Sequence, residues 1–347
     1  MNQSITQPRH RRAADVVEWM GAVQAQEYEA AKWGLGQRMK NAGDAAVERE
    51  FEEGRILRTH VMRPTWHFVA AADIRWMQML TAPRVLRTLA TYDRRMELDP
   101  PTRTRAAKVF ERALRDHQYL TRAELGERLR RSGLPMTGMR LAHAAAHAEL
   151  RAVICSGPRR GRQFTYALVA ERAPKARELS RDEALAELTR RFFRSHGPAT
   201  IRDFVWWSGL TTADARRGLD ITQADQHIAD GHTYWTIGSA GTRQRRPAGV
   251  HLLPIYDEYV VAYRDRTLVP HGPSRIAAAP GQSVTFQHAL VIAGRIAGTW
   301  RMTRGPRTMS IAVTPLRRLT AAEKTGVTAA ALEYERFLGT PVAIRIA

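Results

Sequence analysis

The sequence predicts an α+β chain built from three tandem winged-helix units, each a helix-turn-helix with a β-wing, followed by a C-terminal β-barrel. Three observations carry that prediction. Helical and extended patterns follow one another in a similar order three times before residue 242. Capping boxes and Gly/Pro breaks fall at the joints. Beyond residue 242, short strand-like runs take over. The expected segments are 1–100, 101–178, 179–241 and 242–347, within the two to four domains that 347 residues allow.

In the first segment, Ala13–Met20 and Ala45–Glu53 read as helices, and Ile56–Val61 with Trp66–Val69 as a hairpin around Met62-Arg63-Pro64-Thr65. Gln24-Ala25-Gln26 and a mixed stretch, Tyr28–Gly36, lie between the two helices. The second segment is clearest. A helix over 103–118 places Ala106, Val109, Phe110, Ala113 and Leu114 on one face. Thr121-Arg122-Ala123-Glu124 is a capping box that opens a helix to Arg131. Gly133 and Pro135 break it, and a third helix runs from Thr137 to Leu150. Two extended runs, Ala152–Ser156 and Gln163–Val169, flank a turn that carries Arg159, Arg160 and Arg162. The third segment repeats the order: a helix over Asp182–Ser195, a weaker capping box from Thr200 to Asp203, and a short helix with Phe204, Val205, Trp206 and Trp207. Another helix starts at Thr211, and Tyr234-Trp235 suggests a strand. In the last segment Val250–Leu253, Tyr259–Tyr263, Val284–Ile292, Arg295–Arg301 and Met309–Val313 read as strands, with a turn at Ala293-Gly294. A helix, Ala321–Leu338, and a strand, Val342–Ile346, close the chain.

The formal net charge is +20, and it is unevenly placed. Residues 84–178 hold 21 Lys+Arg against 10 Asp+Glu, and residues 242–347 hold 15 against 6, while the other two stretches cancel. Two basic blocks are what modules tracking a phosphate backbone require. Compositional drift toward Arg explains Arg over Lys but not the excess over acids. No apolar run is long enough to span a bilayer and no secretory signal is visible at the start, so a soluble, cytoplasmic and nucleoid-associated protein is expected. The single cysteine, Cys155, excludes an intramolecular disulfide and cysteine-rich metal sites. His143 and His147 stand four apart on a helix without an evident third ligand, so neither metal nor cofactor is expected.

Gln24 and Gln26 are the candidates for chemistry. An extended backbone puts residues i and i+2 on one side, whereas a helix separates them by about 200°. Two carboxamides that converge can hold and orient a water. An amide cannot act as a general base, so the leaving group must depart easily. Hydrolysis of an N7-alkylated purine nucleoside meets that condition, because the base is already cationic. It demands no snug base pocket. On spacing alone, a pair of surface glutamines in a loop is the commoner meaning.

The sequence resembles the AlkZ-like, or YcaQ-like, winged-helix DNA glycosylases over nearly its whole length. The resemblance rests on Val23-Gln24-Ala25-Gln26, on Arg58 to Val69 (RTHVMRPTWHFV), on Leu252 to Tyr259 (LLPIYDEY), on Tyr263-Arg264-Asp265-Arg266, and on Gly294 to Arg301 (GRIAGTWR). It implies three winged helices and a C-terminal β-barrel around a C-shaped DNA channel. It implies that Gln24 and Gln26, as a Gln-x-Gln motif, hold the nucleophilic water at C1′ in a monofunctional enzyme. The implied substrate is double-stranded DNA carrying N7-alkylated guanine, bulky or crosslinked, met by a monomer without a membrane. Such an enzyme serves DNA repair or antibiotic self-resistance. Arg58, His60, Arg63, Thr65 and His67 then line the channel or contact phosphate, unless strand alternation buries them, and Trp66 fits a core better than a stacking platform. Arg159, Arg160 and Arg162 suit phosphate contact or a solvated turn. Tyr256, Asp257, Tyr263, Arg264 and Arg266 form either a channel-facing cluster or, with Asp265, a salt-bridged barrel end. The competing function is a non-catalytic winged-helix regulator. The Ala- and His-rich helix ending at Leu150 weighs against it, since it offers few side chains for reading base edges.

Overall fold

The computed structural model describes residues 2–238, 249–264, 287–305 and 308–347. In chain order the first segment forms α1 (Ala13–Met20), β1 (Val23–Gln24), α2 (Tyr28–Gly36), α3 (Asp44–Glu52), the hairpin β2 (Ile56–Val61) and β3 (Arg63–Ala70), and α4 (Ile74–Arg95). The second forms α5 (Pro100–Leu114), β4 (Leu120–Thr121), α6 (Arg122–Arg131), α7 (Gly138–Leu150), β5 (Ile154–Ser156), β6 (Thr165–Leu168) and the short α8 (Val169–Arg172). The third forms α9 (Arg181–Ser195), α10 (Ile201–Ser208), α11 (Thr212–Thr222), β7 (Asp225–Ala229) and β8 (His232–Thr236). The last holds β9 (Val250–Leu253), α12 (Glu258–Val261), β10 (His288–Ile292), β11 (Arg295–Arg304), β12 (Met309–Pro315), α13 (Ala321–Leu338) and β13 (Val342–Ile346). The protein is α+β.

Two compact units gather these elements without following the four segments. One comprises Met1–Glu48, Phe193–Asp203 and Asp225–Ala347; the other comprises Arg49–Phe192 and Phe204–Ala224.

In the first unit five strands form one sheet in the order β13-β12-β11-β10-β9, antiparallel except for the parallel β12–β13 pair joined through α13, and β7 pairs with β8 in a separate hairpin. The turn between β10 and β11 is tight, with Ala293 and Gly294 both at positive φ. The closed barrel expected from sequence is, among the described residues, an open curled sheet that makes half a barrel. The expected strand Tyr259–Tyr263 is a correction too. Asp257 caps α12 by accepting the Tyr259 N–H at 2.9 Å, and the chain turns helical. Helix α2 is fixed on this sheet. The Trp33 indole donates to the Leu252 carbonyl at 2.7 Å, and its ring meets Tyr334 and Phe337 at 4.8 and 5.1 Å between centroids. Gly36 permits that approach, because a Cβ there would fall 2.6 Å from the Phe337 ring.

The second unit contains the best-predicted stretch. Asp99 caps α5 by accepting the Thr102 N–H, and two prolines open the helix. The Thr121/Glu124 capping box is present, with the Thr121 N–H donating to Glu124 at 2.7 Å. Strands order as β4-β6-β5 over a core of Leu98, Phe110, Leu114, Leu125, Leu129, Leu141 and Ile154, each large apolar side chain contributing about 1.5–3 kcal/mol. The β2–β3 hairpin turns more tightly than expected. Val61 pairs with Arg63, so Arg63, Pro64 and Thr65 lie in the strand and Met62, at φ +62, makes the turn. Gly209 packs under that turn, where a Cβ would fall 2.1 Å from the Met62 carbonyl oxygen.

Candidate active site and nucleic-acid interface

Gly21, at φ +86, ends α1, and the chain then runs extended through Val23 and Gln24. Ala22, Val23, Gln24 and Ala25 are buried, which fixes the strip; Gln26 is half-buried and Glu27 is exposed. The Gln24 N–H donates to the Glu258 carboxylate at 2.7 Å. Glu258 is itself buried, at the start of α12. Beside it lies a fully buried ion pair: Arg38 donates to both oxygens of Asp257 at 2.8 Å, and also to the Gly34 carbonyl and the Gln3 side chain. Burial opposes the Arg38 charge, but Asp257 outweighs it and raises the guanidinium above its ordinary value. The His196 imidazole stands 3.7 Å from the Glu258 carboxylate, and the Tyr263 hydroxyl donates to the His196 carbonyl at 2.8 Å. Glu29 pairs with the buried Lys32.

Asp257 therefore does not suit the DNA contact expected of it, since both its oxygens are taken by Arg38 inside the unit. The Tyr263 hydroxyl points inward, and burial pushes its pKa up. Arg264 is exposed, with its N–H on Asp203, and Tyr256 is half-buried at φ +61. Asp265 and Arg266 lie outside the described residues.

In the second unit a cleft of about 510 Å³ opens between the hairpin, the start of α6, the end of α7 and the turn after β5. It is lined by Arg58, Trp66, Arg122, Glu149, Arg162, Phe164 and Tyr166 among others. The Arg58 guanidinium lies 4.4 Å from the Trp66 ring centroid and 4.6 Å from that of Phe164, contacts worth about 0.5–2 kcal/mol each. His60 stacks on Trp66 at 4.6 Å, as their cross-strand pairing dictates, and Arg159 stands 5.1 Å over Phe164. Trp66 is thus a half-exposed stacking residue, not the core residue expected. Glu149 accepts from the His60 N–H at 2.9 Å and meets its Nδ1 at 2.5 Å, both through Oε2. Arg160 is tied to Glu124 and to the Tyr119 carbonyl, each at 2.8 Å. The Thr121 N–H first, and Arg160 next, hold the Glu124 carboxyl down to about 2. Arg162 is exposed.

His67 is the second correction among the expected DNA contacts. It is 0% exposed, with Nδ1 on the Thr65 carbonyl at 3.0 Å. Arg63 and Thr65 are half-buried beside it. His147 pairs with Asp93 at 2.8 Å, where Arg103 also binds, and among the described residues no group of three potential ligands could hold a metal. No described helix is long and apolar enough to cross a membrane.

Sequence reasoning missed Glu149, Phe164 and Glu258 as site residues. Glu149 had a legible signal. A carboxylate in the last turn of a helix opposes the helix dipole, so it needs a tertiary partner, here His60.

The chain belongs to the AlkZ-like DNA glycosylase family, whose model matches residues 17–337. The interstrand DNA cross-link repair glycosylase of Streptomyces sahachiroi is 24% identical over 331 residues, covering 87% of this chain and 85% of that protein. The solved structure of Streptomyces sahachiroi DNA glycosylase AlkZ aligns with a TM-score of 0.80 over 100% of this chain and 97% of that one, at 22% identity, a likeness of fold.

Proposed function

We propose that this protein hydrolyses the N-glycosidic bond of N7-alkylated guanine in double-stranded DNA, with bulky adducts or interstrand crosslinks as its substrates. Family membership supports a glycosylase, and the S. sahachiroi relative, by its name, acts in crosslink repair. The observation that carries the chemistry is the Gln24-Ala25-Gln26 segment, extended through Gln24 and bent at Gln26, with Ala25 buried and the Gln24 peptide anchored on Glu258. The two amides hold a water against C1′. The cationic base draws the C1′–N9 electron pair as it leaves, water oxygen bonds to C1′, and the water proton passes to solvent. An abasic site and the free alkylated base result, with no covalent enzyme intermediate and no cofactor. Arg58, Arg63, Arg159, Arg160 and Arg162 serve phosphate contact, and the exposed Arg264 adds another. The three helix-and-hairpin segments act as winged helices, and the protein works as a monomer.

The test is incubation of the full chain with an oligonucleotide duplex containing 7-methylguanine or a crosslinked guanine, followed by hot alkali. Strand breaks at the modified position are expected. Intact strands, with the duplex nonetheless bound, would show a DNA binder without this activity.

A further inference from the structure

We propose that the cleft in the second unit receives one unpaired nucleotide of the bound DNA, whose base turns N–H donors toward Glu149, guanine above all. The inference rests on the reading of this chain as a DNA-binding enzyme and goes beyond it, because excision as described requires phosphate contacts and a sugar carbon but no base pocket.

Three zones of the cleft differ in chemistry. Its floor is anionic. The Glu149 side chain is 2% exposed and lines the cleft, and its contacts among the described residues go to Oε2 alone, from the His60 N–H and imidazole. Oε1 is left as an acceptor in a place where an unmatched carboxylate is costly. One wall is the Trp66–Arg58–Phe164 stack, which holds a guanidinium flat so that its N–H edge has a fixed direction. The rim is cationic, with Arg122 and the exposed Arg162. Tyr166 adds a hydroxyl that burial keeps protonated.

An inorganic anion or a phosphate alone fits the rim but is repelled by the floor. A lysine or arginine side chain from a protein partner fits the floor but is repelled by the rim. A nucleotide satisfies both, with its phosphate at Arg122 and Arg162 and its base inward. The floor then selects among bases. Guanine offers N1–H and N2–H side by side to the carboxylate, next to O6, which accepts from a guanidinium; cytosine offers only its N4–H. A base within a duplex stack cannot reach a buried carboxylate, so the nucleotide must be unpaired. The volume of about 510 Å³ accommodates one.

Binding of the full chain is measured by fluorescence anisotropy on duplexes of one sequence. They are fully paired, or carry a one-nucleotide bulge of guanine, cytosine, adenine or a baseless tetrahydrofuran residue. The guanine bulge is expected to bind about tenfold more tightly than the baseless one, with cytosine between them. Glu149→Gln keeps an oxygen for His60 and turns an amide donor toward the base, so guanine's advantage should fall to near one. Arg162→Ala, on an exposed side chain, should weaken guanine and baseless bulges by the same factor. The wild-type series decides by itself if Glu149→Gln does not fold. Equal binding of all bulges, or a preference for adenine or cytosine over guanine, overturns this inference and leaves the DNA-binding reading in place. Failure to bind any duplex overturns both.

Discussion

The Gln24 peptide N–H donates to the carboxylate of Glu258, which holds this residue in place. A charge-assisted bond of this kind is about twice as strong as a neutral one, and it fixes β1, the strand that carries Gln24 and leads into Gln26. On the proposed mechanism Glu258 acts as a positioning residue. Glu258→Ala should slow excision of 7-methylguanine by roughly 10- to 100-fold, in line with a displacement of about 1 Å at a reacting group. Glu258→Gln retains an oxygen for the Gln24 N–H and should recover most of that loss. Single-turnover rates on both variants check this; equal rates would mean that Glu258 is structural only. The neighbouring Asp257 shows how a motif residue can mislead. Its place in the Leu252–Tyr259 motif suggested DNA, but the buried partner Arg38 lies more than two hundred residues away in sequence, where no local pattern reveals it.

At the scale of elements, what was legible is what local chemistry decides. The capping boxes at Thr121 and Thr200 each open a helix, and α13 and β13 fall where periodicity put them. Thr320→Ala removes the acceptor for the Glu323 N–H and should lower stability by about 1 kcal/mol, read as a shift in urea midpoint without loss of excision. The misses are tertiary. Tyr259–Val261 is β-branched and aromatic, a strand composition, yet Asp257, pinned by Arg38, caps it as helix α12. The glycines of α2 argue against a helix, but Asp257 and Phe337 occupy the space that Cβ atoms at Gly34 and Gly36 would need. Helix α4 was unassigned, and it carries Pro83 inside a helix, where a proline ordinarily signals a break. The glutamine strip was legible as a motif, whereas its anchoring and the Glu149 cleft depend on contacts between distant segments.

At the scale of the whole molecule, charge and acidity set the working range. His288 is packed against Trp300 and accepts the Ile255 N–H through Nδ1, and burial lowers its pKa from 6.5 to about 4. The unfolded chain therefore takes up this proton before the folded one does. Stability from the neutral ring is complete above about pH 6.5 and is lost as pH falls toward 4, amounting to ~2–3 kcal/mol. A thermal-melt series between pH 4 and 7 should show that slope, and His288→Gln should flatten it. The net charge of +20, concentrated in residues 84–178 and 242–347, suits attraction to DNA, whereas the chemistry is assigned to two uncharged side chains, so binding and excision should separate. The most direct measurement is the single-turnover excision rate of Gln24→Ala and Gln26→Ala on a 7-methylguanine duplex, taken alongside their affinity for the same DNA. The account predicts rates lower by about 100-fold or more at unchanged affinity. Variants that excise at the wild-type rate would contradict it.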